Sequence, residues 1–250
     1  MQQTWNPDLY AENARFVSDL GMAVVEWMAP KPGERILDLG CGDGTLTAKI
    51  ASFGCQVVGI DSSREFVEAA KSKGVDARLM DAYDMRFDSE FDGVFSNATL
   101  HWIKRPDQVI DGVWRALKPE GRFVGEFGGH GNIATIEDAL HAALARRGID
   151  ANAMNPWYYP TAEEYQGRLE KRGFQVGAIS LFPRPTPLPT DIRGWLRTFA
   201  LSFLSALPDS ERDAFTNEVV EKLQPYLCDA SGKWTADYVR LRFLAVKPAQ

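Results

Sequence analysis

A chain of 250 residues with 45% hydrophobic content and a formal net charge of −6 can bury one sizeable core, and its acidity argues against a generic phosphate-binding surface. Its three cysteines, Cys41, Cys55 and Cys228, lack C-x-x-C spacing, which speaks against a disulfide framework and fits a reducing compartment. No basic-then-apolar leader and no run of membrane-span length is present, so the expectation is a cytoplasmic chain with no membrane and no nucleic-acid partner.

The first periodic stretch, 8–28, places Leu9, Phe16, Leu20, Val24 and Trp27 at helical spacing. Asn6-Pro7 starts it and Pro30-Lys31-Pro32-Gly33 stops it, so one leading helix is predicted. Ile36-Leu37-Asp38-Leu39 then reads as a strand ending in glycines at alternate positions, Gly40, Gly42 and Gly44, before a helix over 46–53. A second strand over 56–60 closes on Asp61 and completes a βαβ unit.

Glycines there permit a sharp turn and let a ligand lie against main-chain N–H groups at the mouth of a helix. Asp61, about twenty residues beyond the turn, can accept two hydrogen bonds from a ribose diol. The rival is a dinucleotide site with G-x-G-x-x-G. Against it, the third glycine comes one residue early, Thr45 stands where glycine is wanted, and Asp38 would face a cation better than a pyrophosphate.

A helix over 64–73 and a strand over 77–80 lead to Asp81-Ala82. There an acidic side chain could accept from an adenine amino group with the next N–H reading the ring, or serve as a turn cap. The fourth strand, 91–97, ends on Asn97, at the carboxyl edge where ligands of open α/β sheets gather. A helix over 108–117, a turn at Lys118-Pro119-Glu120-Gly121 and a fifth strand over 122–127 follow. Next come a glycine-rich loop around His130 and helices over 133–147 and 161–172. Between those helices lies the aromatic loop Asn155-Pro156-Trp157-Tyr158-Tyr159-Pro160, either a pocket wall or a core plug. A sixth strand over 174–182 exits through a proline-rich connector to two helices over 191–224, with Trp195, Phe199 and Phe203 at i, i+4, i+8. The last strand, 238–246, puts Arg240 and Arg242 on one face.

With these residues in view, Asp38-Leu39-Gly40-Cys41-Gly42 resembles the E/D-x-G-x-G motif of the class I S-adenosylmethionine-dependent methyltransferases. Ala98-Thr99-Leu100-His101-Trp102 is similar to their A-L-H/Q-W stretch, and the 118–121 turn to their L-K-P-x-G, with Glu120 where glycine is usual. The N/D-P-P-Y/F/W motif of DNA base methyltransferases is missing from the fourth strand end. Softer features, Trp5-Asn6-Pro7, Ser96-Asn97-Ala98 and the Trp195 helix, resemble the trans-aconitate methyltransferase and methyltransferase type 11 group.

The resemblance implies an α/β, Rossmann-like, mostly parallel seven-stranded sheet with helices on both faces and a helical cap inserted before the last strand. It implies a single methyltransferase domain over 1–250: an N-terminal lid (1–32), a cofactor core (33–127), cap insertions (128–173 and 190–235) and C-terminal strands (174–189 and 236–247). The implied cofactor is S-adenosylmethionine, with S-adenosylhomocysteine as product and no metal. Asp38, Gly40, Cys41, Gly42, Asp61, Ser62, Asp81, Ala82 and Asn97 are the cofactor-binding candidates.

A sulfonium methyl is already electrophilic, so the protein's task is to align an acceptor and exclude water. A carboxylate acceptor needs orientation alone, whereas a phenol or protonated amine must lose a proton. His130 and His101 are the base candidates. Tyr10, Trp102, His130, Trp157, Tyr158, Trp195, Arg240 and Arg242 are the substrate candidates, the arginines either anchoring carboxylates or merely solvated. The expected activity is methyl transfer to a small-molecule acceptor, carboxylate O-methylation included. The alternatives are a non-catalytic S-adenosylmethionine-binding regulatory or partner protein and an enzyme for carrier-protein-bound acyl carboxylates.

Overall fold

The structure is a computed structural model that describes residues 5–14 and 16–249. Its chain divides into two compact units, one from the described parts of Met1–Arg15 with Gly131–Trp157 and Pro183–Val239, the other from Phe16–His130, Tyr158–Phe182 and the described part of Arg240–Gln250.

The second unit holds the central sheet. Its strands are β1 (Arg35–Leu39), β2 (Gln56–Asp61), β3 (Asp76–Leu79), β4 (Phe91–Asn97), β5 (Leu117–Gly128), β6 (Gln175–Pro183) and, last in the chain, β9 (Val239–Val246), in the order β3-β2-β1-β4-β5-β9-β6. Strands β1 to β5 run parallel, and β9 lies antiparallel to β5 with Glu126 opposite Arg242. The chain winds outward from β1 to β3, then returns to the other side of β1 at β4. That reversal leaves a crevice at the carboxyl ends of β1 and β4, where open α/β sheets bind ligands.

Both faces of the sheet are covered, which accounts for the near-continuous apolar runs in its strands. Successive side chains alternate between faces. Leu37, Val94 and Phe123 pack with Val109, Val113 and Phe243 in one cluster. Their strand neighbours Ile36, Phe95 and Val124 pack with Val24, Val25 and Met28 in another. The helices of this unit are α2 (Phe16–Met28), α3 (Thr45–Ala51), α4 (Arg64–Ser72), α5 (Pro106–Ala116) and α8 (Ala162–Arg172). Thr161 caps α8 by accepting from Glu164 N–H at 3.1 Å, as its spacing predicts.

The first unit contains α1 (Pro7–Ala14), α6 (Ala134–Ala145), α7 (Ala151–Met154), α9 (Ile192–Phe199), α10 (Leu201–Leu204), α11 (Asp209–Leu227) and a small antiparallel pair, β7 (Thr186–Pro187) with β8 (Thr235–Ala236). Helices α6 and α11 are joined by Arg147, whose Nη1 lies 2.6 Å from Glu218 Oε2.

Four local differences from the sequence expectations have physical causes. The predicted helix over 8–28 is two helices, in different units. The stretch over 191–224 is three, broken at Ala200, whose φ of −107° and ψ of 25° leave the helical region, and again before Pro208. The connector after β6 is pinned as β7, with Leu188 N–H donating to Trp234 O at 2.9 Å. Finally, β5 begins at Leu117 and runs through the expected turn, and Glu120 there has φ +64°, the conformation that makes glycine usual at this place. Among the described residues no helix is long and apolar enough to cross a membrane, and no cluster of three metal-ligating acids, histidines or cysteines occurs.

Candidate active site

Gly40 and Cys41 leave β1 by donating both their N–H groups to Ile60 O, at 2.8 and 3.0 Å. Gly40 (φ +76°) and Gly42 (φ +53°) both take left-handed backbone, for different reasons. A Cβ on Gly40 would fall 2.1 Å from Thr99 Oγ1, so glycine lets the turn after β4 close onto the end of β1. A Cβ on Gly42 would meet nothing within 4 Å. The backbone at Gly42 therefore borders open space beside the start of α3, where a ligand can approach the main chain.

Two acids flank this turn, Asp38 buried and Asp61 half-buried. Asp61, at the end of β2, accepts from Gly42 N–H at 3.0 Å through Oδ2 and from Ser63 N–H at 2.9 Å through Oδ1, tying the glycine turn to the start of α4. Burial raises its pKa against those hydrogen bonds. Asp38 is 2% exposed and accepts from Thr47 Oγ1 at 2.6 Å. Burial pushes its pKa up to about 7; the Thr47 hydrogen bond opposes the rise and the Asp61 charge adds to it. Among the described residues no cationic side chain pairs with either acid. Two desolvated carboxylates without a cation form a site that a positively charged ligand completes.

The other predicted cofactor residues stand around this pair. Cys41 is buried, and desolvation together with the Asp38 and Asp61 charges holds its thiol far above the ordinary range, so it is a packing group and no nucleophile. Ser62 is exposed beside Asp61. Asp81 accepts from Tyr83 N–H at 2.9 Å and caps the short 3-10 turn that begins at Ala82. Asn97 donates from its side-chain amide to Val17 O at 3.2 Å, fastening α2 to the end of β4.

Past β4, His101 is 8% exposed. Its Nδ1 accepts from Gly128 N–H at 3.2 Å, so the ring proton resides on Nε2. Burial, with the Arg240 charge adding to it, holds its pKa well below the ordinary histidine value. A neutral ring with Nδ1 occupied and Nε2 protonated is a hydrogen-bond donor, which removes His101 from the base candidates.

Trp102 lies 5.4 Å from the His101 ring, and Tyr158 N–H donates to His101 O at 2.9 Å. The Tyr158 hydroxyl donates to Glu164 at 2.8 Å and is thereby directed to α8. His130 is exposed, with its N–H donating to Pro160 O at 2.8 Å.

Arg240 and Arg242 do share a face, and both turn to Glu126: Arg242 Nη2 at 2.6 Å and Arg240 Nε at 3.4 Å. In the first unit, Tyr10 sits 6.2 Å from Phe199, Trp195 donates Nε1–H to Tyr238 Oη at 2.6 Å, and Trp157 lies between Trp195 and Phe203 at 6.1 and 5.4 Å. Trp157 and Trp195 are only 5% and 2% exposed, so both serve first as core of that unit.

Residues 37–125 match the family described as Methyltransferase domain. Over 97% of this chain and 98% of the relative, the sequence is 38% identical to an uncharacterized methyltransferase of Schizosaccharomyces pombe. The chain is a member of the S-adenosylmethionine-dependent methyltransferases. It is also 30% identical to the trans-aconitate 2-methyltransferase of Mycobacterium tuberculosis, over 72% of this chain and 63% of that one. In fold, the methyltransferase is similar to phosphoethanolamine N-methyltransferase 2 of Haemonchus contortus, solved with S-adenosylhomocysteine, with a TM-score of 0.58 at 23% identity over 93% of this chain and 53% of that one. The [4+2]-cyclase SpnF is similar as well, with a TM-score of 0.59 at 20% identity over 93% and 82% of the two chains.

The residues present fit the cofactor of this family. The methyltransferase offers a carboxylate at each of two neighbouring strand ends for a ligand with a sulfonium, an ammonium and a ribose diol, and open space over Gly42 for its approach. Thr47, Ser63 and Thr99, which hold Asp38, Asp61 and Gly40 in place, escape a reading of motifs because their roles rest on contacts of the folded turn. Glu126 is different: a carboxylate inside the otherwise apolar run 123–127 is a visible signal of a buried ion pair.

Asp61→Ala is expected to weaken S-adenosylmethionine binding by about 1–3 kcal/mol, the range for an unmade hydrogen bond to a charged or buried group. Calorimetric titration measures it, and an affinity equal to that of the unaltered protein would remove the ribose role from Asp61.

Proposed function

We propose that this methyltransferase O-methylates a carboxylate of a small organic acid. The observation that carries the reading is the tautomer of His101, a buried neutral donor beside the carboxyl end of β4. Bound S-adenosylmethionine supplies an electrophilic methyl on a positively charged sulfur. A phenol or an ammonium acceptor would need a base to take its proton before attack; of the two candidates, His101 has no free basic nitrogen and His130 is exposed to solvent. A carboxylate is already ionised at neutral pH and needs an aligned lone pair and a donor for its second oxygen. His101 Nε2–H is such a donor, and burial strengthens its hydrogen bond by excluding water.

The Mycobacterium tuberculosis relative is named for trans-aconitate, a tricarboxylic acid, which favours the same acceptor class. The acids Asp38 and Asp61 hold the cationic cofactor, and their negative charge also keeps an anionic acceptor from occupying the cofactor's place.

The test is a panel of trans-aconitate, simple dicarboxylic acids, phenols and primary amines, each incubated with S-adenosylmethionine and analysed for methylated product by mass spectrometry. Methyl esters of the carboxylic acids, with phenols and amines inert at pH 7, are expected. Transfer to phenols or amines with every carboxylate inert would overturn the reading.

A further inference from the structure

Strands β1 and β4 pair from Ile36 with Gly93 to Asp38 with Phe95, and their ladder stops there, short of the glycine turn. Beyond that point hydroxyl groups of the β4 segment take over from the backbone. Ser96 Oγ donates to Leu39 O at 2.9 Å inside the core, and Thr99 Oγ1 stands 3.2 Å from Gly40 O. The glycine turn is therefore fastened to the β4 side by two side chains, and Thr99 holds the residue that opens the turn.

Thr99 reaches that carbonyl at a local cost. Ala98 before it has φ +57°, left-handed backbone that is unfavourable for a residue with a Cβ, and its N–H donates to Glu126 O at 2.8 Å. Thr99 itself precedes the 3-10 turn Leu100–Trp102, a place where a threonine hydroxyl ordinarily caps the backbone, yet it makes no such cap. Its one hydrogen has two carbonyls within reach, Gly40 O and Asn97 O, both at 3.2 Å. Asn97 O is local. Gly40 lies 59 residues away in sequence and lacks the Cβ that would fall 2.1 Å from the same hydroxyl. A strained alanine, a forgone cap and a glycine cleared for contact thus converge on one hydroxyl at the ligand-binding edge of the sheet.

The turn that Thr99 begins carries His101, whose Nδ1 accepts from Gly128 N–H and whose carbonyl accepts from Tyr158 N–H. Thr99 stands between the glycine turn and the segment that bears His101. We propose that Thr99 is a positioning residue for methyl transfer: its hydroxyl clasps the glycine turn to the 100–102 turn, so that filling the cofactor side orders the acceptor side. The coupling is reciprocal, so each ligand favours binding of the other. The proposal rests on His101 as the donor to the acceptor. Its test needs the cofactor product alone, so the two can fail separately.

The test is amide hydrogen exchange of the full chain by NMR, with and without saturating S-adenosylhomocysteine. It is read at Trp102 and Ile103, whose N–H groups donate to Thr99 O and Leu100 O. In the unaltered protein the ligand is expected to slow both amides about tenfold. Unchanged exchange there would overturn the proposal without any variant. Thr99→Val keeps the shape and removes the hydroxyl. It should bind S-adenosylhomocysteine about fivefold more weakly, the size of one neutral hydrogen bond, and at saturation its two amides should exchange as fast as without ligand. Thr99→Ser, which keeps the hydroxyl, should match the unaltered protein in both readouts. A merely structural threonine would lower the Tm of the valine variant and leave the slowing by ligand intact. Equal slowing in Thr99→Val would therefore reduce Thr99 to a local bond with Asn97 O, and loss of slowing in Thr99→Ser as well would remove the hydroxyl from the coupling. If the carboxylic acids of the panel are inert while exchange behaves as described, the acceptor class falls and the clasp stands. Ester formation by a protein whose 100–102 turn ignores the ligand gives the reverse.

Discussion

Glu126→Leu should destabilise the protein by about 3–5 kcal/mol, the cost of leaving a buried charge without its partner, seen as a fall in Tm on the order of 10 °C for a chain of this size. Glu126 is fully buried, and Arg240 and Arg242 have their guanidinium groups directed at its two oxygens. Leucine fills most of the volume, so packing alone predicts a small effect. What it cannot do is balance two cations held in the sheet by the register of β5 and β9, in which Glu126 faces Arg242 and Gly128 faces Arg240. Adding Arg240→Met and Arg242→Leu removes both guanidinium charges and should restore most of the lost stability, because apolar replacement of a buried ionic group is often neutral or favourable. Thermal unfolding of the single and triple variants decides the point. A single variant as stable as the parent would mean that the two arginines do not depend on Glu126.

The contrast between that triad and the glycine turn shows which parts of the fold can be read in the sequence. The turn is local: three glycines at alternate positions, a preceding strand and a following helix lie within about twenty residues, and all three glycines take left-handed backbone. The alternation of Ile36 and Leu37, or Phe123 and Val124, likewise announces a sheet covered on both faces. The spacing of Arg240 and Arg242 also puts them on one face. What that face meets depends on β9 pairing with β5 in one particular register, more than a hundred residues away in sequence. The tautomer of His101 is equally non-local, set by Gly128 N–H on a neighbouring strand. Trp157 and Trp195 illustrate the same limit. Their helical or loop setting is legible, whereas their nearly complete burial against Phe203 and Tyr238 comes from tertiary packing. Glu120 shows the reverse: a non-glycine residue in a glycine-type turn, detectable at once as unusual, and found at φ +64° within the start of β5.

Asp38→Asn is expected to make the cofactor-free protein more stable and the cofactor weaker. In the folded chain the Asp38 pKa stands at about 7 against an ordinary 3.8. Its folded value is therefore the higher one, so the folded state holds a proton that the unfolded state has released. Stability contributed by that proton is complete below about pH 4 and is lost as pH rises toward 7, with little further change above it. The displacement amounts to about 4 kcal/mol, reduced in practice by any relaxation around the ionised group. Asparagine keeps the Thr47 hydrogen bond through its carbonyl oxygen and does not ionise, so the variant should lack this dependence and unfold at a higher temperature than the parent at pH 8. Binding of S-adenosylmethionine reverses the balance. A cation beside Asp38 favours its ionised form, and binding at pH 6 should release protons that binding at pH 8 does not. Loss of a charge-assisted hydrogen bond or ion contact costs about 1.5–3 kcal/mol, so the variant's affinity should fall roughly tenfold to a hundredfold. Paired measurements at pH 6 and pH 8, thermal unfolding without cofactor and calorimetry with it, separate the two effects. A variant that gains no stability at pH 8 and binds S-adenosylmethionine as tightly as the parent would show that Asp38 is a structural acid tied to Thr47. The opposite outcome would show that the protein keeps an ionisable group in its core because the charge of its cofactor requires it.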